Sequence, residues 1–122
     1  MTKFISIVDD DASFRDATTR LVRSLGYAVE SFASAEEFLQ SHRLEHTACL
    51  ITDVQMSGMS GLELQAALLA QGSRLPIIFV AADPGADSRA QAIAAGALAF
   101  LNKPFREENL ISFLAQALVG RP

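Results

Sequence analysis

The chain has 122 residues, 50% of them hydrophobic, a single cysteine and a formal net charge of −4 at pH 7. That length and apolar content fit one domain with one core, and the negative balance gives no electrostatic attraction to DNA, RNA or an anionic membrane. One cysteine, Cys49 in an apolar run, excludes an internal disulfide; no apolar segment nears the about 20 residues that span a bilayer, and the first apolar run meets Asp9 too early for a signal peptide, so a cytoplasmic protein is expected.

The first apolar run, Phe4-Ile-Ser-Ile-Val8, reads as a buried strand and ends in Asp9-Asp10-Asp11. Phe14, Ala17, Leu21, Val22 and Leu25 then recur at helical spacing. They predict an amphipathic helix over about 13 to 25, capped by Ser13 or Asp11 and stopped by Gly26. Residues 27 to 32 alternate as a strand, and Ser34-Ala-Glu-Glu37 has the capping-box pattern of a helix running through Phe38 and Leu39. Residues 47 to 53 form the third strand. Its apolar run Cys49-Leu-Ile-Thr ends abruptly at Asp53, before the glycine-containing loop Val54-Gln-Met-Ser-Gly-Met-Ser-Gly61. A helix from Gly61 to about Gln71 follows, then a strand over 75 to 82 with Pro76 at its beginning, where proline is tolerated. The alanine-rich segment 87 to 95 is helical and ends at Gly96. Residues 97 to 101 make a fifth strand. A last helix over 107 to 119 places Leu110, Phe113, Leu114, Ala117 and Leu118 on one face.

Strands alternating with helices at this spacing predict an α/β fold, a (βα)5 parallel sheet covered on both faces, and the doubly wound order 2-1-3-4-5 is a common arrangement of such a sheet. Residues 1 to 122 are expected to form one domain, with 119 to 122 a terminus or the start of a linker. In that order the switch point lies between strands 1 and 3, where ligands bind at the carboxyl ends, so Asp9, Asp10 and Asp53 flank the crevice. Carboxylates about 5 Å apart repel by about 3 kcal/mol at an effective dielectric of about 20. Something positive is therefore expected among them: Lys103, in Phe100-Leu-Asn-Lys-Pro104 after strand 5, or a divalent cation, for which hard oxygen ligands favour Mg²⁺. An acid at a strand tip beside a metal and a lysine is placed to attack phosphorus and hold the acyl phosphate formed.

At these residues the chain resembles the receiver domain of two-component response regulators, with its CheY-like, flavodoxin-like fold, over essentially its whole length. The likeness is carried by Val8-Asp9-Asp10 after strand 1, by Asp53 with Met56 and Gly61 behind it, and by Lys103-Pro104-Phe105 after strand 5. It implies that Asp53 takes a phosphoryl group from a sensor histidine kinase. Asp10 and Asp53 would bind Mg²⁺ directly, Asp9 through water and Gln55 through its backbone carbonyl. Lys103 would contact the phosphoryl group, with a cis bond to Pro104. Phe100 matches the family's aromatic switch position, and Ala82 the small residue beside the phosphoryl site. Ser34-Ala-Glu-Glu-Phe-Leu39 looks most like the FixJ-type branch, in which a receiver commonly precedes a helix-turn-helix DNA-binding domain. A homodimer through the last two helices and strand 5 is admitted by the likeness but not required.

Two positions depart from the pattern. Ala81 stands at the end of strand 4, where receivers usually carry a Ser or Thr whose hydroxyl bonds the phosphoryl group, and Ser57 replaces the usual proline, a change read as loosening the backbone. His42 and His46 read as surface residues far from the crevice. A flavodoxin-like cofactor binder would find its phosphate repelled by Asp9-Asp10-Asp11, and a haloacid-dehalogenase-type phosphatase would need an acid where Gln55 stands. The expectation is thus a phosphorylatable receiver with no enzymatic turnover beyond self-catalysed phosphoryl transfer and hydrolysis. Its rival is a degenerate receiver that binds proteins without switching, for which Ala81 is the ground.

Overall fold

A computed structural model of the chain describes residues 3–82 and 85–119. The strands are β1 (Phe4–Val8), β2 (Val29–Phe32), β3 (Thr47–Asp53), β4 (Ile77–Ala81) and β5 (Ala99–Asn102). Between and after them run α1 (Ala12–Ser24), α2 (Ala35–Gln40), α3 (Gly61–Ala70), α4 (Gly85–Ala94) and α5 (Glu107–Val119). The strands pair in the expected order β2-β1-β3-β4-β5, and all are parallel, as the alternation of elements predicted.

β3 is central, and all seven of its residues are buried. Because side chains alternate along a strand, β3 feeds two cores. Leu50 packs with Phe38, Leu64, Leu68 and Phe79 on the face covered by α2, α3 and α4. Cys49 and Ile51 pack with Val22, Ile78, Leu110 and Leu114 on the face covered by α1 and α5. Register sets the functional edge: Val8 lies opposite Thr52, so Asp9 and Asp53, the next residue of each strand, come level.

Several expectations shift in detail. Asp11, not Ser13, caps α1, its carboxylate accepting from Ser13 N at 3.0 Å and Phe14 N at 3.3 Å. The buried face of α1 is Thr18, Thr19 and Val22, with Ala17 exposed. A threonine is tolerated there because its hydroxyl can find a bond inside the helix, as Thr19 does on Arg15 O at 2.8 Å. Ser34 caps α2 as expected, but the reciprocal bond of Glu37 goes to Ala33 N at 3.4 Å. The full capping box is at Ser60 and Glu63 of α3. A 3-10 turn, Leu44–His46, precedes β3. It puts His46 at the amino edge of the sheet, opposite Asp53; His42, exposed with φ +59°, lies just before it. α5 runs to Val119, the first residue of the expected terminus or linker over 119 to 122, and residues 120–122 lie outside the described residues. Among the described residues no helix is long and apolar enough to cross a membrane.

Candidate functional site

β1 and β3 deliver their carboxylates to one edge, and the loop after β5 brings the counter-charge. Lys103 Nζ donates to Asp9 Oδ2 and to Asp53 Oδ2, each at 3.1 Å. Asp9 is 1% exposed and Asp53 8%. The lysine is held at its backbone by β4 and at its ammonium by an aromatic ring. Its backbone N–H donates to Ala81 O at 2.8 Å, its bond to Pro104 is cis, and its ammonium lies 4.0 Å from the centre of the Phe14 ring. Phe14 meets Phe105 edge to face at 5.9 Å, and Arg15 Nη1 donates to Asp9 O at 2.6 Å.

Burial raises the Asp9 carboxyl above its usual 3.8 and outweighs the Asp11 N–H and Lys103, which pull it down. Burial also pushes the Lys103 ammonium down, but its bonds to Asp53 and Asp9 more than reverse this and leave it above its usual 10.5. One ammonium serves two buried acids, and the exposed Asp10 adds a third carboxylate beside them.

Each of Asp9, Asp10 and Asp53 offers an oxygen within 4.8 Å of the others. Clustered carboxylate oxygens of this kind are hard ligands that suit a small divalent cation such as Mg²⁺, which takes one or two carboxylates directly and keeps several waters. The Gln55 backbone lies within reach of this site: Gln55 N donates to Asp53 Oδ1 at 3.3 Å.

The loop between β3 and α3 is held by two carboxylates from elsewhere in the chain. Asp10 Oδ2 accepts from Ser57 N at 3.0 Å, and Glu36 Oε2, from α2, accepts from Met59 N at 3.0 Å. The Met59 N–H holds the Glu36 carboxyl below its usual 4.5. Ser57, read from sequence as a loosening of the backbone, also supplies an N–H that proline lacks. Gly58 has φ +78°, which residues with a side chain rarely adopt, and a Cβ there would meet Glu36 Oε2 at 2.6 Å and push that carboxylate aside. At Gly61 a Cβ would run into the Asp53 carbonyl, so glycine lets α3 start directly behind Asp53.

Ala81 ends β4, 2% exposed, and packs in the same core as Phe79 and Phe100. Phe100 is 5% exposed and stacks on Phe79 at 5.9 Å. Arg89 of α4 donates to Phe100 O at 3.1 Å and sits 5.8 Å from its ring centre. Ala82 is exposed at the strand's end. The sequence had signalled Asp9, Asp10, Asp53 and Lys103, and the structure brings all four together. Phe14, Glu36, the Ser57 N–H and Arg89 were missed. Only the departure from proline at 57 carried a signal.

The family profile of the response regulator receiver domain matches residues 5–115. Response regulator protein TodT of Pseudomonas putida is 44% identical over 118 residues, covering 97% of this chain and 52% of TodT. Transcriptional regulatory protein FixJ of Bradyrhizobium diazoefficiens is 33% identical over 114 residues, covering 93% and 56%. The solved structure of response regulator StyR superposes with a TM-score of 0.90 at 40% identity, covering 98% of this chain and 60% of that one. That of FixJ-N superposes at 0.88 and 28% identity, covering 100% and 98%. The chain spans about half the length of the curated relatives it matches.

Proposed function

The chain belongs to the response regulator receiver domain family, and on that premise we propose that it accepts a phosphoryl group from a sensor histidine kinase onto Asp53, with Mg²⁺, as the receiver part of a longer cytoplasmic transcription regulator. The observation that carries this is the convergence of Asp9, Asp10 and Asp53 with Lys103 bonded between two of them. One oxygen of Asp53 attacks the phosphorus of an N-phosphohistidine. An O–P bond forms, the P–N bond breaks, and the imidazole leaves with the electron pair and takes up a proton. Lys103 Nζ, already 3.1 Å from Asp53, meets the charge on the transferring oxygens. Asp10, Asp53, the Gln55 carbonyl and, through water, Asp9 would hold the Mg²⁺ ion, which when bound would supply positive charge beside the transferring oxygens. Hydrolysis of the acyl phosphate returns the free acid, so the chain is a self-modifying acceptor without turnover of a separate substrate.

Exposure to acetyl phosphate with Mg²⁺ should raise the intact mass by one phosphoryl group. The rise should vanish without Mg²⁺ and in Asp53→Asn. Equal labelling of wild type and Asp53→Asn would remove Asp53 from the role.

A receiver that keeps the fold but does not switch is the second reading, and Ala81 favours it: no hydroxyl is present there, and Phe100 is already buried under Arg89. A ligand shifts a conformational equilibrium only by its differential contacts with the two states. On this reading beryllofluoride, a phosphoryl mimic, perturbs amides near Asp53 and leaves those of β5 and α5 unmoved. Shifts reaching α5 would rule it out.

A further inference from the structure

Given Asp10 as the metal ligand proposed above, we propose that the peptide N–H of Ser57 is a positioning group for the metal site, holding the Asp10 carboxylate in place before the metal arrives. Asp10 is exposed, so its carboxylate would otherwise sample several rotamers. The rotamer it adopts is the one bonded to Ser57 N at 3.0 Å, and in that rotamer one of its oxygens joins those of Asp9 and Asp53 within 4.8 Å. A carboxylate accepts about four hydrogen bonds, so the contact leaves acceptor sites free for a cation.

The donor is itself held. Met59, two residues on, is bonded to Glu36, Gly61 N donates to Val54 O at 2.8 Å, and the Ser60 and Glu63 capping box fixes the start of α3. The Ser57 N–H is therefore anchored from its C-terminal side, and Asp10 comes to it. A proline at 57 would offer no N–H. The device belongs to the peptide group and not to the serine hydroxyl, and this separates it from any role of the side chain.

The test is Mg²⁺ titration of the full chain, followed by amide shifts, for wild type, Ser57→Ala and Ser57→Pro. Ser57→Ala keeps the N–H and should bind as wild type does. Ser57→Pro should raise the Mg²⁺ dissociation constant about threefold to tenfold, the range expected for one solvent-screened hydrogen bond. In metal-free protein, Asp10→Ala should move the Ser57 amide proton upfield, as loss of an acceptor does. Equal affinity in all three proteins overturns the proposal while leaving the metal site standing. A wild type that does not bind Mg²⁺ overturns both. Should Ser57→Pro fail to fold, Asp10→Ala decides: a Ser57 amide that stays where it was overturns the proposal.

Discussion

Asp9 and Asp53 are buried and share the Lys103 ammonium, whereas Asp10, the neighbour of Asp9 in the chain, is exposed and rests on a single peptide N–H. The buried side is set by the strand register of β1 and β3 and held by charge. The exposed side is set by a loop and held by a dipole. Changes on the buried side should therefore alter stability and chemistry together, because the fold and the reacting group depend on the same ion pairs. Changes on the exposed side should alter metal binding and leave the fold almost untouched.

The contrast breaks most visibly at Lys103. Lys103→Met leaves two buried carboxylates without their cation and should destabilise the protein by about 3 kcal/mol in denaturant unfolding at neutral pH. A loss as small as that of a surface substitution would mean that the buried side is not held by charge. Next in size is Ala81→Thr, which adds two heavy atoms beside Phe79 and Phe100. Overpacking of a filled core typically costs about 1–3 kcal/mol, read as a lower denaturation midpoint at unchanged slope.

The pH profile sharpens the same comparison. Asp9 binds its proton more tightly folded than unfolded, so its contribution to stability falls as pH rises from the usual 3.8 through its raised folded value. Lys103 acts at the other end: what it contributes is complete below 10.5 and is lost as pH rises through its raised folded value. Thermal midpoints against pH should lose the acidic feature in Asp9→Asn and the alkaline one in Lys103→Met. The smallest effect belongs to the exposed side. Asp10→Ala relieves repulsion and removes one hydrogen bond, so the metal-free midpoint should change by less than about 1 kcal/mol in stability, while stabilisation by millimolar Mg²⁺ disappears. A large metal-free loss would place Asp10 with the buried acids.

The same division governs what could be read from the sequence. Strand order and the meeting of Asp9, Asp53 and Lys103 were legible because apolar runs that stop at charges mark strand ends, and parallel strands align those ends. The helix faces were legible where apolar residues carried them, as in α5, but not in α1, where Thr18 and Thr19 are buried in place of Ala17. The exposed side was opaque for a different reason. The bonds of Ser57 to Asp10 and of Met59 to Glu36 join backbone groups to acids 47 and 23 residues away. A backbone N–H has no sequence identity to search for, and Glu36 reads as an ordinary first-turn helix acid. Arg89 over Phe100 is hidden likewise, since an exposed arginine on a polar helix carries no mark of its partner.

The burial of all seven β3 residues has a consequence for the order in which the molecule opens. Hydrogen exchange proceeds through partial unfolding, and segments with few buried contacts open first. In α4 only Ala92 is buried among residues 87–94, while β3 is flanked by β1 and β4 and packed on both faces. The amides of Cys49 to Thr52 should exchange only when the whole sheet is lost, and those of α4 far sooner. Asp53 closes that slowest segment, so its carboxylate should remain in its folded setting through excursions in which α4 has already come apart.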